Sequence, residues 1–235
     1  GYCPPKGSAP FQLKSKDSSE RFCIEMYRLA THDVSLKNKK VLEIGSGRGG
    51  GANFLKEYFH PSSMVGIDLS ADAVKLARQH HHAPGLTFQI GDAESLPFHD
   101  NLFDVVVNVE SSHSYPHVDS FLRESYRVLR PGGHFCIVDF RKKDDLAQWR
   151  SAITDAGFVI DKERNITSGV VAALETDHER KKALIKKYVH PLLSTAFGQF
   201  AGLKGGIAHE EFSSGGMVYY AFLCHRPKAK ESMAA

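Results

Sequence analysis

The stretch VLEIGSGRGG, residues 41–50, joins a short apolar run to a turn that is rich in glycine. The run KVLEI (Lys40–Ile44) has the length and composition of a buried strand, and helix-like spacing resumes after the turn. Glycine adopts positive φ and lets a ligand approach the backbone closely, so the unit suits a nucleotide-like group. Read as Gly45, Gly47 and Gly50, the turn also fits the dinucleotide pattern GxGxxG, which leaves the ligand open.

Strand-like and helix-like segments alternate on both sides of this turn. Further strands are predicted at residues 64–69, 86–90, 103–109, 133–139, 158–163 and 217–224. Between two of them, an amphipathic helix is predicted by the apolar spacing of Val118, Phe121, Leu122, Ser125 and Leu129. The alternation predicts an α/β fold with a Rossmann-like, seven-stranded, mostly parallel sheet, helices on both faces and an antiparallel last strand.

The domain organisation follows from the spacing of these segments. We expect residues 1–235 to form a single domain that begins with an arm and a helix over residues 1–35. Residues 165–215 are too many for a loop in a compact domain and carry helix-like apolar spacing, which predicts a helical lid insertion. The lid residues expected to line an acceptor cavity are Leu192, Leu193, Phe197 and Phe200.

Composition limits the class of partner and the compartment. Lys and Arg number 30 against 27 Asp and Glu, for a net charge of +3, and no long basic block predicts nucleic-acid binding. No apolar run reaches the length of a membrane span, and the four cysteines form no CxxC pair. We therefore expect a cytoplasmic protein that has no membrane span and does not bind nucleic acid. A removed targeting segment and the oligomeric state stay open.

Acidic residues follow the second and third predicted strands. Asp68 lies 23 residues after Gly45, where a carboxylate accepts hydrogen bonds from ribose hydroxyls. Asp92 lies in Gly91-Asp92-Ala93, where its carboxylate can accept from an adenine amino group and the next N–H can reach a ring nitrogen. Together they predict an adenosine-containing ligand.

Glu43 helps to distinguish between two kinds of adenosine-containing ligand. Placed at the end of the first strand and facing the crevice, its carboxylate would repel the pyrophosphate of a dinucleotide. S-adenosylmethionine instead carries an ammonium and a sulfonium, which favour nearby negative charge. A nicotinamide-dependent oxidoreductase is therefore the weaker alternative.

The runs VLEIGSGRGG, VGIDLS, GDAESLPF, FDVVVNVESSHSYP and VLRPGGHFCIVDF, between Val41 and Asp139, resemble class I S-adenosylmethionine-dependent methyltransferases in order and spacing. The segment NVESSHSYPHVDSFLRESYRVLRPGG, residues 108–133, is also similar to methyltransferases of the phthiotriolone and polyketide O-methylating type. The resemblance implies S-adenosylmethionine as cofactor and S-adenosylhomocysteine as product. The cofactor contacts it implies are Glu43, Gly45, Ser46, Gly47, Asp68, Leu69, Asp92, Ala93 and the carbonyl near Asn108.

The loop after the fourth strand is where an acceptor is expected to meet the methyl group, since ligands bind beyond the carboxyl ends of parallel strands. A hydroxyl acceptor must lose a proton, and histidine suits that task, so we predict His113 as general base. The alternative is that His113 only shapes the pocket or contacts the cofactor. Glu110 and Tyr115 are second candidates that would orient the substrate, and Asp139 lies within reach of substrate or base. No metal is predicted.

These residues predict methyl transfer to a small molecule, at a hydroxyl group of a hydrophobic or amphipathic metabolite. Three alternatives stay open: N- or C-methylation, transfer of an aminopropyl group from decarboxylated S-adenosylmethionine, and a non-catalytic module that only binds the cofactor.

Overall fold

A computed structural model describes residues 1–190 and 202–228. The predicted lid residues Leu192, Leu193, Phe197 and Phe200 lie outside the described residues. The chain divides into two compact units. The larger unit comprises Tyr27–Asp139, Asp145–Arg164 and the residues from Ala221 onward. The smaller unit comprises Gly1–Met26, Phe140–Asp144 and Asn165–Tyr220.

Seven strands form one sheet in the order β3-β2-β1-β4-β5-β7-β6. The strands are β1 Lys40–Ile44, β2 Ser63–Asp68, β3 Leu86–Ile90, β4 Phe103–Val109, β5 Leu129–Lys142, β6 Val159–Asn165 and β7 Met217–His225. Strand β1 pairs in parallel with β2 and β4, β2 pairs in parallel with β3, and β4 pairs in parallel with β5. After β1 the chain forms β2 and β3 on one side of β1 and then returns to form β4 on the other side. A crevice therefore opens at the carboxyl end of β1, between the loops that follow β2 and β4.

The last strand reverses direction. At the start of β5, Gly132 donates a backbone hydrogen bond to Arg226 (2.7 Å), and Arg226 donates one to Gly133 (2.9 Å). At the other end of β5, Lys143 donates to Gly216 (2.9 Å), just before β7 begins. Strands β5 and β7 are therefore antiparallel. The predicted Rossmann-like mixed sheet with an antiparallel last strand is confirmed.

Helices connect the strands. They are α1 Arg21–Thr31, α2 Gly50–Phe59, α3 Ala71–His80, α4 Val118–Val128, α5 Leu146–Asp155, α6 Thr167–Thr176, α7 His178–Tyr188 and α8 Ile207–Ser214. Short 3-10 turns cover Ser15–Glu20, Ser112–Ser114 and Lys143–Asp145. In α4 the predicted face is confirmed, because Phe121, Leu122 and Ser125 are buried. Within the described ranges, no helix is long and apolar enough to cross a membrane.

Strand β5 is longer than predicted. We expected Pro131-Gly132-Gly133 to end the preceding helix and the strand to begin at Gly133, but the strand begins at Leu129. Phe103 pairs with Leu129 and Val105 pairs with His134, so β5 accommodates three extra residues in a bulge against β4. Gly132 takes φ +77° there. The turn residues bend this strand instead of preceding it.

The buried face of α3 also differs from the prediction. The helical spacing of Ala73, Leu76, Ala77 and His80 predicts that these residues form the buried face, but the buried residues are Val74 and Ala77. Leu76 is 40% exposed. Ala77 belongs both to the predicted face and to a second apolar face that contains Val74. The second face is the one that packs toward the sheet.

Candidate cofactor and active site

The glycine turn after β1 requires glycine at Gly45. This residue takes φ +73°, and a Cβ there would overlap the Ser111 side chain and lie 2.7 Å from the Tyr115 hydroxyl. The N–H groups of Gly45 and Ser46 both donate to the carbonyl of Ile67 in β2 (2.9 Å each). The turn is therefore fixed to the neighbouring strand and packed against the loop after β4.

Gly47 leaves open space above the turn. It takes φ +51°, and a Cβ added there would have no heavy atom within 4 Å. Its N–H donates to Oδ2 of Asp68 (2.7 Å), while Oδ1 accepts from the N–H of Ser70 (2.9 Å). Both carboxylate oxygens are thus oriented by backbone donors, and a carboxylate retains further lone pairs for a ligand.

A cavity of about 220 Å³ opens beside this turn. The loops at the carboxyl ends of β1, β2, β3 and β4 form its wall. Its lining residues are Ile44, Gly45, Ile67, Asp68, Leu69, Gly91, Asp92, Ala93, Glu94, Ser111, Ser114, Tyr115 and Pro116. Leu69 is 73% exposed, so an apolar surface lies next to the carboxylate of Asp68. Such a wall can hold a flat ring beside polar hydroxyls.

The loop after β3 forms one side of the cavity and is tied to helix α4. The carboxylate of Asp92 accepts from the N–H of Glu94 (2.8 Å), which closes a local turn. Farther along, Glu124 of α4 accepts from the N–H of Leu96 (2.6 Å). These contacts hold Asp92 at the cavity.

Arg127, one turn further along α4, completes this attachment. Its guanidinium donates to the carbonyls of Leu96 (3.0 Å) and Phe98 (2.7 Å) and pairs with Glu124 (2.7 Å). The hydrogen bond from Arg127 lowers the pKa of Glu124, so this carboxyl remains ionised. Helix α4 therefore sets the position of the cavity wall.

A histidine and a buried aspartate meet at the end of β4. His113 Nδ1 lies 2.8 Å from Oδ1 of Asp139, whose side chain is 2% exposed. The other carboxylate oxygen accepts from the backbone N–H of His113 (2.9 Å) and from the hydroxyl of Ser112 (2.6 Å). The imidazole is 30% exposed. A carboxylate that accepts from Nδ1–H leaves Nε2 as a proton acceptor.

Tyr115 has a different character from His113. Its hydroxyl lies 2.6 Å from Ser111 Oγ and accepts from Nδ2 of Asn108 (3.2 Å), and Nδ2 also donates to the carbonyl of Ile44 (2.9 Å). Burial raises the pKa of Tyr115 to about 12, so the phenol stays neutral. It can form part of the wall and donate a hydrogen bond, but it is a poor base.

Glu43 lies beneath the glycine turn, completely buried. The hydroxyl of Tyr27 in α1 donates to its Oε1 (2.5 Å). Its Oε2 is buried without a hydrogen-bond partner among the described residues. Burial raises the pKa of Glu43 to about 8, which outweighs the opposite effects of Tyr27 and the Ala52 backbone.

Residues 42–137 match the family described as "Methyltransferase domain". The chain is 37% identical over 212 residues to a phthiotriol/phenolphthiotriol dimycocerosates methyltransferase of Mycobacterium tuberculosis, covering 90% of this chain and 78% of that protein. It is 39% identical over 190 residues to a fatty-acid O-methyltransferase of Mycolicibacterium smegmatis, covering 81% of this chain and 68% of that protein. The chain belongs to the methyltransferase family. It is an S-adenosylmethionine-dependent methyltransferase.

The fold of this methyltransferase is shared more widely than its sequence. A crystal structure of the [4+2]-cyclase SpnF superposes with a TM-score of 0.74 at 21% identity, covering 97% of this chain and 88% of that one. At this identity the likeness shows the fold alone. The fold does not determine the reaction, which depends on the methyltransferase's own residues.

The structure brings together about half of the residues predicted for the methyltransferase site. Six line the cavity: Gly45, Asp68, Leu69, Asp92, Ala93 and Tyr115. Those that do not line it are Glu43, Ser46, Gly47, Asn108, Glu110 and His113. Glu43 is fully buried at the end of β1, directly before the turn. Glu110 takes φ +52° directly after β4, where it starts the loop that carries His113.

Sequence reasoning missed three supporting residues of the methyltransferase. Tyr27 bonds Glu43 from a helix 16 positions upstream, and no local pattern distinguishes it from other residues of α1. Ser112 was not singled out within its polar loop. For Arg127, helix spacing relative to Glu124 indicated only an ordinary surface ion pair.

Glu43 predicts a pH dependence of stability for the free methyltransferase. Its pKa rises from about 4.5 to about 8 on folding, so the contribution of this group to stability is fully present below pH 4.5 and is lost as the pH rises toward 8. Glu43→Gln removes this ionisation, so we expect its Tm, measured by calorimetry without ligands, to depend less on pH. At pH 8 the variant should exceed the wild-type Tm by about 2–4 °C for each kcal/mol relieved.

The matched control is Glu210→Gln, which changes an exposed carboxyl in α8. Its stability curve should run parallel to that of the wild type between pH 5 and 8. Parallel curves for Glu43→Gln as well would mean that Glu43 is not the group responsible.

Proposed function

We propose that the protein transfers a methyl group from S-adenosylmethionine to a hydroxyl group of a hydrophobic or amphipathic metabolite. Relatives at 37% and 39% identity are named for phthiotriol/phenolphthiotriol dimycocerosates and for fatty acids, both of them lipids. The proposal that the acceptor group is a hydroxyl rests on the contact of His113 with Asp139 at the end of β4.

The cavity residues suit the cofactor. Asp68 would accept from the ribose hydroxyls, with Leu69 against the adenine face. Asp92 and Ala93 would bind the adenine edge, and the open space above Gly47 would admit the amino-acid end. The remaining predicted contacts are Glu43, Gly45, Ser46 and the carbonyl near Asn108. When bound, the cofactor supplies an electrophilic methyl group on a sulfonium.

His113 would remove the acceptor's proton. Asp139 accepts from Nδ1 and fixes the ring, so Nε2 is the nitrogen that would accept a proton from a hydroxyl. As His113 becomes an imidazolium, the buried carboxylate stabilises the new charge. Tyr115 and Glu110 would orient the acceptor. Alignment of acceptor and methyl supplies the rest of the rate enhancement.

Further expectations accompany this proposal. We propose that residues 165–215 act as a lid whose apolar residues contact the acceptor.

We also propose that the protein works in the cytoplasm without binding nucleic acid. In the ranges 1–190 and 202–228, no group of three His, Cys, Asp or Glu side chains could hold a metal ion. We propose that transfer needs no metal.

The test uses methyl-labelled S-adenosylmethionine and three acceptors with the same long alkyl chain: an alcohol, a carboxylic acid and an amine. We expect label in the alcohol, at a rate unchanged by EDTA. Preferred labelling of the acid or the amine would mean that the acceptor group is a carboxylate or an amine and not a hydroxyl. Cofactor binding without labelling of any acceptor would favour the non-catalytic module, and a loss with EDTA that Mg²⁺ restores would overturn metal independence.

A further inference from the structure

Helix α7, His178–Tyr188, lies on the surface of the smaller unit. None of its residues is buried. Leu184 is 41% exposed and Tyr188 is 71% exposed, although both are large apolar side chains. They are four positions apart and therefore share one face of the helix, with Ile185 beside them. An apolar stripe of this kind in contact with water indicates a binding surface.

Basic residues surround this stripe. Five of the eleven residues of α7 are Lys or Arg, against one Glu. Arg180 is engaged by Asp177 (2.6 Å). At helical spacing, Lys187 lies on one side of the stripe and Lys182 on the other, while Lys181 lies on the stripe itself and Lys186 on the opposite face of the helix. The Lys187 ammonium lies 4.9 Å from the centre of the Tyr188 ring.

The start of α7 is anchored and its apolar stripe follows later. Asp177, at the junction with α6, is 8% exposed; its N–H donates to the carbonyl of Ala173, and its carboxylate holds Arg180. The adjoining residues Val170, Ala173 and Leu174 of α6 are buried. Helix α7 is thus fixed at its amino end, while Leu184, Tyr188 and the flanking lysines remain exposed one to two turns beyond.

We propose that α7 binds an anionic lipid surface, lying along it with Leu184 and Tyr188 inserted among the acyl chains. Lys182 and Lys187, on the two sides of the stripe, would extend to lipid phosphates, since long basic side chains place their charge at the interface while their stems cover apolar surface. An anionic surface attracts each Lys by about 1 kcal/mol. This inference concerns binding alone and stands apart from the proposed reaction.

The combination of basic side chains and exposed apolar side chains on α7 favours an anionic lipid surface over other polyanions. A nucleic acid would engage the lysines through phosphates and leave Leu184 and Tyr188 in water. A neutral membrane would take the apolar side chains and gain little from the charges. An anionic bilayer surface offers both kinds of contact along one side of a helix.

The test is flotation of the full chain with vesicles of phosphatidylcholine alone and of phosphatidylcholine mixed equally with phosphatidylglycerol. We expect binding to the mixed vesicles only. The variant Lys182→Gln/Lys186→Gln/Lys187→Gln should weaken this binding on the order of 10²-fold. The variant Leu184→Ser/Tyr188→Ser should weaken it at least about 10-fold, because its apolar contacts are lost.

The matched control is Lys37→Gln/Lys75→Gln/Lys143→Gln, which removes the same charge from exposed lysines elsewhere. It should bind the mixed vesicles like the wild type. The proposal is overturned by absence of binding, by equal binding to both vesicles, by wild-type binding of either α7 variant, or by an equal loss in the control. Since the changed side chains are exposed, all variants should keep the wild-type Tm.

Discussion

His113→Ala is expected to lower kcat by ~10²-fold or more, the usual contribution of a general base. The imidazole is held by Asp139 at 2.8 Å, so its loss removes both the proton acceptor and the charge that the carboxylate stabilises. The measurement is the initial rate at saturating S-adenosylmethionine with the long-chain alcohol. A kcat near the wild-type value would exclude His113 as the base and leave it a role in shaping the pocket.

Two further variants separate catalysis from structure. Asp139→Asn keeps the shape of the side chain but lowers its ability to stabilise an imidazolium, so its kcat should also fall. His117→Ala removes an exposed histidine of the same loop and should leave kcat unchanged. The affinity of His113→Ala for S-adenosylhomocysteine should match that of the wild type, because the change acts on proton removal.

Asp68→Ala is expected to weaken binding of S-adenosylmethionine and S-adenosylhomocysteine by ~10²-fold or more. Each hydrogen bond to a charged group contributes about 1.5–3 kcal/mol, and the carboxylate would accept two from the ribose. The substitution also leaves the N–H groups of Gly47 and Ser70 without their acceptor, which loosens the turn. Calorimetric titration with the two adenosyl ligands and NAD measures the effect.

Asp72→Ala is the control, since it removes an exposed carboxylate four residues away, in the first turn of α3. It should bind both adenosyl ligands like the wild type. Binding of NAD by the wild-type protein, or undiminished affinity in Asp68→Ala, would contradict the assignment of the cavity to S-adenosylmethionine.

The parts of the fold that the sequence predicts are those specified by neighbouring residues. The bounds of β1, β3 and β4 agree with the prediction because short apolar runs between turn residues specify buried strands. Ser70 stands directly before α3, where serine is a preferred cap, and its hydroxyl accepts from the N–H of Ala73. Asp68 and Asp92 reach the same cavity because the carboxyl ends of parallel strands share one edge.

What the sequence could not predict depends on contacts between distant segments. The bulge in β5 depends on its partner β4, and Pro131-Gly132-Gly133 reads equally well as the end of a helix. The hydrogen bond to Glu43 comes from Tyr27 in another element, which no local pattern indicates. The end of the fifth strand places Asp139 within reach of the base, but residues 26 positions apart do not indicate the close contact of Asp139 with the His113 ring.

The carboxylate of Asp139 accepts hydrogen bonds from the Ser112 hydroxyl, the backbone of His113 and its ring. Moving the loop would break three contacts to one buried group at once, so the imidazole is held in place by the folded sheet. The cost of ordering that side chain is therefore met during folding and is not subtracted from the affinity for the acceptor. In the proposed reaction, other parts of the chain would accommodate the shape of the acceptor, while the imidazole that would take its proton keeps the position set by the sheet.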